Sequence, residues 1–213
     1  MLLNRLEIRR RIVDLAFRLR LSHLGSSLTC VDILCDIYQI RQEYEPVVLS
    51  NGHAGLALYV VLEAVFGLDA EQLYQRHGIH PSRNEHDQIY VTTGSLGMGL
   101  PVALGMALAD RSNRVFCVIS DGECAEGAIW ESLAIKTRFM VDNLRIYVNV
   151  NGFSAYDTVD VSALERRLVA FDKSVEIRHT LCALPFAPDC RAHYHVISED
   201  EYHWVLTHLE EIS

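Results

Sequence analysis

The clearest pattern of hydrophobic and polar positions in this chain lies between Val115 and Val150. Its first five residues, through Ile119, are apolar and rich in β-branched side chains, which predicts a short buried strand. A helical pattern follows over residues 126–138, and a second apolar run, Leu144 to Val150, predicts another strand. Because a helix connects the two strands, we expect them to be parallel neighbours in one sheet.

The remaining segments continue this alternation of strands and helices. Asp69 is placed to cap a helix, Gly67 to end the helix before it, and Ser198 to open a capping box. We expect helices over residues 5–20, 28–40, 55–66, 68–76, 158–168 and from 199 onward, and short strands over 46–49, 174–179 and just before Thr92. Half of the residues are hydrophobic. The sequence therefore predicts an α/β fold with three layers, α/β/α, around a mostly parallel sheet.

A polar side chain follows each of the two strands predicted over residues 115–119 and 144–150. Asp121 follows one strand, and Asn151 follows the next, thirty residues later. In α/β sheets, ligands bind at the carboxyl ends of the strands. A carboxylate and an amide oxygen suit Mg²⁺, and the carbonyl of Phe153 offers a third oxygen if the chain turns at Gly152. The alternative, a helix cap at Asp121 and a turn at Asn151, stays open on spacing alone.

Two histidines precede helices elsewhere in the chain. His23 lies in a Gly/Ser segment, Ser22–Ser27, and His53 follows the short strand over residues 46–49. Helix N-termini bind anions because their first N–H groups lack partners within the helix. His23 taken alone is better explained as a capping or core residue. Both positions are therefore candidates for contact with an anionic ligand.

A glycine-rich loop begins at Thr92 and runs into an alanine-rich helix that ends at Ala109. Gly94, Gly97 and Gly99 would let the backbone approach a ligand closely. The same spacing occurs in Rossmann loops and in tight helix-packing seams. No acidic ribose-binding residue follows at the distance that a Rossmann unit requires.

Composition and charge narrow the classes of function. The 213 residues suffice for one sizeable domain. The formal net charge of −9 argues against nucleic acid or an anionic membrane as partner. No apolar run has the length of a transmembrane helix, and the first residues lack a signal-peptide pattern. The six cysteines are dispersed, which predicts reduced core thiols in a cytoplasmic protein.

The polar segment 77–90 carries three histidines, His77, His80 and His86. A metal cluster is one interpretation of these residues. No cysteines stand at the spacing of a zinc site, so we expect solvated loop residues.

The motif around Asp121 resembles the thiamine diphosphate motif of the transketolase family. The agreement comprises Asp121-Gly122, Glu126-Gly127, Asp142-Asn143-Leu144 and Asn151-Gly152, whereas Ser120 replaces the usual first glycine. The resemblance implies that Mg²⁺ is held by Asp121, Asn151 and the Phe153 carbonyl. It also implies contact between thiamine diphosphate and Gly122, Glu126 and Asn151.

Other loops resemble the same family. The segments SHLGSSLTCVDIL and LSNGHA are similar to its two histidine motifs, and His80-Pro81 to a histidine-proline near its active site. The resemblance implies that His23 and His80 face the reacting substrate and that His53 binds the diphosphate. The stretch TTGSLGMGL resembles the loop that covers the thiazolium ring. It implies cofactor binding by Gly94, Ser95 and Leu96.

The last part of the chain resembles the family less closely. Residues 190–194 are similar to a closing segment in which a histidine reaches back over the site, which implies a catalytic role for His193, with His195 as the rival. HTLCALPFAPD replaces the usual segment rich in lysine and glycine. The family has a longer passage before it, so we expect a shortened C-terminal third.

The resemblance covers about residues 5–210 and corresponds to the diphosphate-binding half of a transketolase. It implies a single diphosphate-binding domain over 1–213, without the pyrimidine-binding domain that activates the cofactor. We therefore expect one subunit of a split transketolase, paired with a pyrimidine-binding subunit in an α₂β₂ assembly and acting on sugars or sugar phosphates. Two alternatives remain, a subunit of another thiamine diphosphate enzyme, such as a 2-oxoacid decarboxylase or dehydrogenase, and a non-catalytic scaffold homologue.

Overall fold

A parallel sheet lies at the centre of the computed structural model, which describes residues 3–155, 157–182 and 184–212 without the side chains of Cys190 and Arg191. The strands of this described part are β1 Val47–Leu49, β2 Val115–Ser120, β3 Leu144–Val150 and β4 Glu176–His179. They lie side by side in chain order, and every neighbouring pair is parallel. The expected pairing of the second and third strands is confirmed.

Helices cover both faces of this sheet. Their bounds are α1 Arg5–Arg18, α2 Leu24–Ile40, α3 Gly55–Phe66, α4 Ala70–His77, α5 Gly99–Ala109, α6 Gly127–Arg138, α7 Val161–Phe171 and α8 Glu199–His208. Side chains alternate between the faces along each strand. Phe116, Val118 and Tyr147 pack with α1, α2, α3 and α8, whereas Cys117 and Val148 pack with α5, α6 and α7. The fold is the expected three-layer α/β/α arrangement.

Side-chain caps set several helix ends, as the sequence predicts. The Asp69 carboxylate accepts from the Gln72 N–H and begins α4. Ser198 forms a capping box with Glu201 at the start of α8. Gly67 ends α3 with a positive φ of 71°, a conformation that costs glycine little because it has no Cβ. These three expectations are confirmed.

Some predicted boundaries are wrong. The Gly/Ser segment after His23 is the first turn of α2 rather than a loop, because His23 itself makes the bend, with φ of 62°. The helix predicted over 158–168 begins at Val161, where Asp160 caps the Ala163 N–H. No strand precedes Thr92 in the described chain, where Asn84 and Ile89 form only an isolated bridge.

A buried ion pair fixes the C-terminal third against the sheet layers. Lys136 Nζ, near the end of α6, donates to Asp172 Oδ2 at 2.6 Å and to Ser174 Oγ at 2.7 Å. Burial acts to raise the pKa of Asp172, but these hydrogen bonds outweigh it and hold that pKa below its ordinary value. The bond joins α6 to the turn between α7 and β4, so it determines how β4 reaches the sheet.

No helix in the described part of the chain is both long enough and apolar enough to cross a membrane.

We expect Lys136→Ala to lower the free energy of unfolding by about 3 kcal/mol or more, because it leaves a carboxylate buried without its partner. Urea denaturation measures this loss. Arg138→Ala is the matched control, since Arg138 is basic, exposed and in the same last turn of α6. The pKa of Asp172 is lower in the folded chain than in the unfolded one. The stability that pairing with Lys136 gives the wild type should therefore be lost as the pH falls through the folded-state pKa of Asp172, so that the wild type and Lys136→Ala converge there. Equal losses in the two variants would contradict the assignment.

Candidate functional site

The ends of β2 and β3 bring Asp121 beside the turn at Asn151. Ser120 is paired with Asn149 across the two strands, so the residues that follow them emerge at the same edge of the sheet. Asp121 Oδ2 accepts from the backbone N–H groups of Asn151 at 3.0 Å and Gly152 at 2.7 Å. The structure thus joins the two positions that the sequence identified thirty residues apart.

The second strand end folds into a tight turn. Asn151 Oδ1 accepts from the Phe153 N–H at 3.0 Å, and Gly152 has a φ of 85°. A Cβ added at Gly122 would lie 3.1 Å from the Ser154 Cα and 3.4 Å from the Phe153 oxygen. A side chain at this position would crowd the approach, which brings the Phe153 carbonyl beside the turn that follows Asp121.

Asp121 also caps the short 3₁₀ turn Gly122–Ala125, where Oδ1 accepts from the Gly122 N–H at 2.9 Å. The cap and the turn that formed the alternative interpretation are both present in the free chain. Burial raises the pKa of Asp121, and the backbone N–H donors of Gly152, Gly122 and Asn151 oppose that shift. A nearby divalent cation would favour the ionised carboxylate.

Three histidines from distant segments form one cluster. The ring centroids of His23 and His53 are 5.6 Å apart, and that of His193 lies 5.7 Å and 6.0 Å from them. The backbone N–H of His23 donates to the His193 carbonyl at 3.0 Å. The centroid of the Tyr194 ring lies 5.8 Å from that of the His23 ring. His195 lies elsewhere, bonded through Nε2 to Glu201 at 2.9 Å. Between the two rivals, the structure brings His193 to the cluster.

Burial keeps two of these rings neutral. It lowers the pKa of His23 to about 4 and that of His53 to about 3, and the neighbouring histidines add to both shifts. The ring nitrogen Nδ1 of His23 lies 2.8 Å from the Ser22 hydroxyl. At neutral pH, each of these imidazoles therefore has one N–H donor and one acceptor nitrogen.

His80 and the glycine-rich loop adjoin this cluster. A Cβ built at Gly94 would lie 2.8 Å from His80 Cγ, so the imidazole packs directly on the backbone of the loop. Gly94 has a φ of 128°, which favours glycine. Ser95 is exposed and Leu96 half-buried beyond it. His80 is itself exposed, and it contributes to the lowered pKa of both His23 and His53.

Glu123 connects three of these loops, a role that no pattern in the sequence indicated. Its fully buried carboxylate accepts from Ser50 Oγ at 2.6 Å and the Gly97 N–H at 2.9 Å through Oε1. Oε2 accepts from the Ser120 N–H at 3.0 Å. The one feature of the sequence that could have indicated this role is the acidic residue directly after Asp121-Gly122. Only the fold reveals that the carboxylate turns inward, towards loops 26 and 73 residues away.

Ser120, which departs from the family motif, belongs to this hydrogen-bond network. Its hydroxyl accepts from the Glu123 N–H at 3.2 Å. A glycine would lack this bond, and the serine therefore supports the turn that carries Asp121. Glu126, the next glutamate, is exposed at the start of α6, and its Cβ would lie 2.6 Å from a Cβ added at Gly97.

The other two histidines of the segment 77–90 were expected to be solvated loop residues, and only one of them is. The side chain of His77 is only 3% exposed and bonds to Asp87 at 2.8 Å, so the prediction of a solvated residue is wrong for it. His86 is exposed, as expected. No group of three or more His, Cys, Asp or Glu side chains forms a metal-binding cluster within the described residues.

A cleft lies next to the strand ends. The first turn of α2 and the Asn151 turn form one side, and residues 181, 182 and 184–193 form the other. Its polar lining comprises Ser26, Thr29, Asn151, Asp189 and His193. The oxygens of Asp121, Asn151 and Phe153 are hard ligands of the type that Mg²⁺ prefers. The residues present therefore fit a magnesium-bound diphosphate.

Comparison with known proteins gives a family for most of the chain. The family model described as 1-deoxy-D-xylulose-5-phosphate synthase matches residues 3–183. An apulose-4-phosphate transketolase subunit from Phocaeicola vulgatus is 30% identical over 179 residues, which cover 74% of this chain and 63% of that protein. A 6-deoxy-6-sulfo-D-fructose transketolase subunit from a Clostridium species is 31% identical over 164 residues, which cover 68% of this chain and 60% of that protein.

Full-length transketolases match over a smaller share of their length. Transketolase-like protein 2 of Mus musculus is 36% identical over 138 residues, which are 58% of this chain and 22% of that protein. A transketolase structure from Pichia stipitis aligns with a TM-score of 0.70 at 18% identity, over 97% of this chain and 43% of that one. At such identity the likeness concerns the fold alone. The chain spans less than two thirds of each of these relatives.

We expect Glu123→Gln to lower the free energy of unfolding by about 1–3 kcal/mol, because its NH₂ group would face one of the buried backbone N–H donors. Glu131→Gln makes the same chemical change at an exposed site on α6 and should alter stability by less than about 0.5 kcal/mol. Urea denaturation of both variants measures the difference. A Glu123→Gln chain as stable as the wild type would show that the carboxylate does not hold the loops.

We expect His23 and His53 to remain neutral well below pH 6 in the folded chain. Nuclear magnetic resonance titration of their ring protons should give midpoints near 4 and 3. The same protons in the urea-unfolded chain, the control, should titrate near the ordinary value of 6.5. Since the unfolded chain binds more protons, the free energy of unfolding should fall as the pH drops below 6.5. Folded-state midpoints near 6.5 would contradict the burial argument.

Proposed function

The chain belongs to the family of 1-deoxy-D-xylulose-5-phosphate synthase and transketolase N-terminal domains, and from this premise we propose that it is the diphosphate- and Mg²⁺-binding subunit of a two-component transketolase. The observation that carries the proposal is the hydrogen-bonded approach of Asp121 to the Asn151 turn, next to the cleft that His193 lines. The family is thiamine diphosphate-dependent. Bound in the cleft, this cofactor supplies the chemistry by which a two-carbon ketol unit moves from a ketose to an aldose.

The residues at the strand ends would hold the anionic end of the cofactor. Asp121, Asn151 and the carbonyl of Phe153 would coordinate Mg²⁺. The diphosphate contacts would come from Gly122, Glu126, Asn151 and His53. The loop at Gly94, Ser95 and Leu96 would contact the cofactor's rings. This division follows from the hard oxygens on one side and from a backbone that lies open to close approach on the other.

The histidines would act at the reacting end of the cleft. A neutral His23 ring has both a donor and an acceptor nitrogen, so it can hold or move a proton at neutral pH. His80 and His193 lie close enough to His23 to influence its pKa. We assign proton transfer and hydrogen bonding to substrate oxygens to these three residues.

A separate partner subunit would complete the site. Two relatives are named as subunits of transketolases, and this chain spans 63% and 60% of their length. These names support a separate partner subunit. We propose that this chain is a single diphosphate-binding domain over 1–213, with a shortened C-terminal third, and that the pyrimidine-binding domain lies on the partner. We propose an α₂β₂ assembly that acts on sugars or sugar phosphates. The five described cysteines are free thiols, which supports a reducing, cytoplasmic location.

The relatives separate the alternatives better than the strand ends do. A scaffold homologue would also use the Asp121 carboxylate to hold the Asn151 turn through backbone hydrogen bonds. Another thiamine diphosphate enzyme shares that turn, but the two relatives that match over about seven tenths of the chain are transketolase subunits. The transketolase assignment is therefore the better supported one.

We expect thiamine diphosphate with Mg²⁺ to bind tightly to this chain mixed with the pyrimidine-domain protein encoded beside it. Asp121→Ala should weaken this binding by at least about a hundredfold, because it removes a metal ligand. Asp142→Ala is the matched control, an exposed aspartate at the opposite end of β3. Isothermal titration calorimetry gives the affinities, and a coupled assay gives ketol transfer.

Each outcome of this experiment has a defined meaning. The chain alone should show no ketol transfer, and turnover by the isolated chain would overturn the two-component proposal. Absence of cofactor binding in both the chain and the mixture would favour the scaffold. Binding without ketol transfer, but with 2-oxoacid decarboxylation, would favour the other class of thiamine diphosphate enzyme.

A further inference from the structure

A buried histidine–aspartate pair lies outside the cleft, at the base of the segment that carries His80. The side chains of His77 and Asp87 are only 3% and 8% exposed. Their atoms Nε2 and Oδ2 are 2.8 Å apart, and the imidazole stacks on the Tyr59 ring with the centroids 6.0 Å apart. None of the contacts described above for the cofactor uses this pair, so its role requires a separate explanation.

The segment 78–93, here called the His80 arm, leaves α4 and returns to the glycine-rich loop. Its two legs are joined by hydrogen bonds from the Thr93 N–H to the Pro81 carbonyl at 3.0 Å and from the Arg83 N–H to Thr92 Oγ1 at 2.9 Å. Asn84 and Ile89 close the far end through two backbone bonds. Because the legs are joined along their length, the arm moves as one unit.

The pivot of this arm is Gly78. It follows the last residue of α4, has a φ of 74°, and a Cβ added to it would meet no atom within 4 Å. The Tyr59 hydroxyl donates to its carbonyl at 3.1 Å. Rotation at this residue would swing the whole arm, and with it the His80 ring that packs on Gly94. The near end of the arm packs on α3, since a Cβ added at Gly55 would lie 2.5 Å from the Ile79 oxygen and 3.0 Å from Pro81 Cδ. The far end needs a contact of its own to fix the direction of the arm.

Asp87 provides that contact at the far end of the arm. Its carboxylate accepts from His77 Nε2, from Arg76 Nη1 at 2.5 Å and from Asn84 Nδ2 at 2.8 Å. Burial acts to raise the pKa of Asp87, but the hydrogen bonds from Arg76 and His77 hold it below its ordinary value, so the group is an ionised acceptor at neutral pH. Arg76 is half exposed, whereas His77 is buried, so the histidine bond is the one shielded from water.

We propose that His77 and Asp87 are positioning residues that lock the His80 arm to the end of α4 and thereby set the His80 imidazole against Gly94, beside the histidine cluster. The effect of this lock on ketol transfer rests on the proposed function. Loss of the lock would misplace His80 without touching the strand ends that would bind Mg²⁺ and the diphosphate. Turnover would then fall while cofactor affinity stays the same.

The test uses the nuclear Overhauser effect between the His80 ring and the Gly94 α protons in the full chain without cofactor. His77→Phe keeps the aromatic stack on Tyr59 and loses the bond to Asp87, and Asp87→Ala loses every bond to that carboxylate. Both should lose the effect. Glu85→Ala, an exposed acidic residue in the same turn, is the matched control and should keep it. Asp87→Asn retains an acceptor oxygen for His77 and should restore it.

In the reconstituted enzyme, His77→Phe should reduce turnover about tenfold or more with the cofactor dissociation constant unchanged. Persistence of the Overhauser effect in folded His77→Phe or Asp87→Ala would overturn the proposal, as would its loss in Glu85→Ala. If His77→Phe does not fold, the comparison of Asp87→Ala with Asp87→Asn decides. The Overhauser effect requires no cofactor, so a failure of cofactor binding would overturn the proposed function alone.

Discussion

The arrangement of the site depends on one buried carboxylate. Glu123 accepts hydrogen bonds from the residue after β1, from the glycine-rich loop and from the last residue of β2. These segments are far apart in the chain, and a buried charge that lost any of these donors would be costly. The same turn carries Asp121, so the packing that satisfies Glu123 also fixes the edge of the sheet where we propose that Mg²⁺ binds. Gly99 packs against Ser50 so closely that a Cβ would lie 2.6 Å from it, which completes the junction.

Around this junction the chain separates two tasks. The strand ends present hard oxygens, which suit an anionic group held through Mg²⁺. The histidines come from the start of α2, the 3₁₀ turn after β1, the His80 arm and the segment before α8. Burial favours the neutral form of His23 and His53, and neutral imidazoles can exchange protons with a substrate at physiological pH. One region of the fold is thus polar and rigid for binding, and the other offers titratable groups that are held by longer segments.

The C-terminal third of the chain lines one side of the cleft. β4 pairs with β3 along Tyr147 to Val150, and Lys136 ties the turn before β4 to α6. Residues 184–193 then lie across the cleft from the first turn of α2 and bring His193 to the cluster. Buried polar bonds from Asn149 to Thr29 and from Thr180 to Asn149 link the chain after β4 to α2 beneath the cleft.

Local patterns in the sequence determined most of the helices and strands and the approach of Asp121 to the Asn151 turn. The apolar runs of β2 and β3, the caps at Asp69 and Ser198 and the connecting helix α6 depend on neighbouring residues, so the sequence alone predicted them and placed Asp121 beside Asn151. Only the tertiary structure decided that Glu123 turns inward, that His77 is buried against Asp87, and that His193 rather than His195 meets His23. Each of these depends on contacts with segments distant in the chain or on the path of an irregular loop. Neither the periodicity of the hydrophobic pattern nor the spacing of a motif records such contacts.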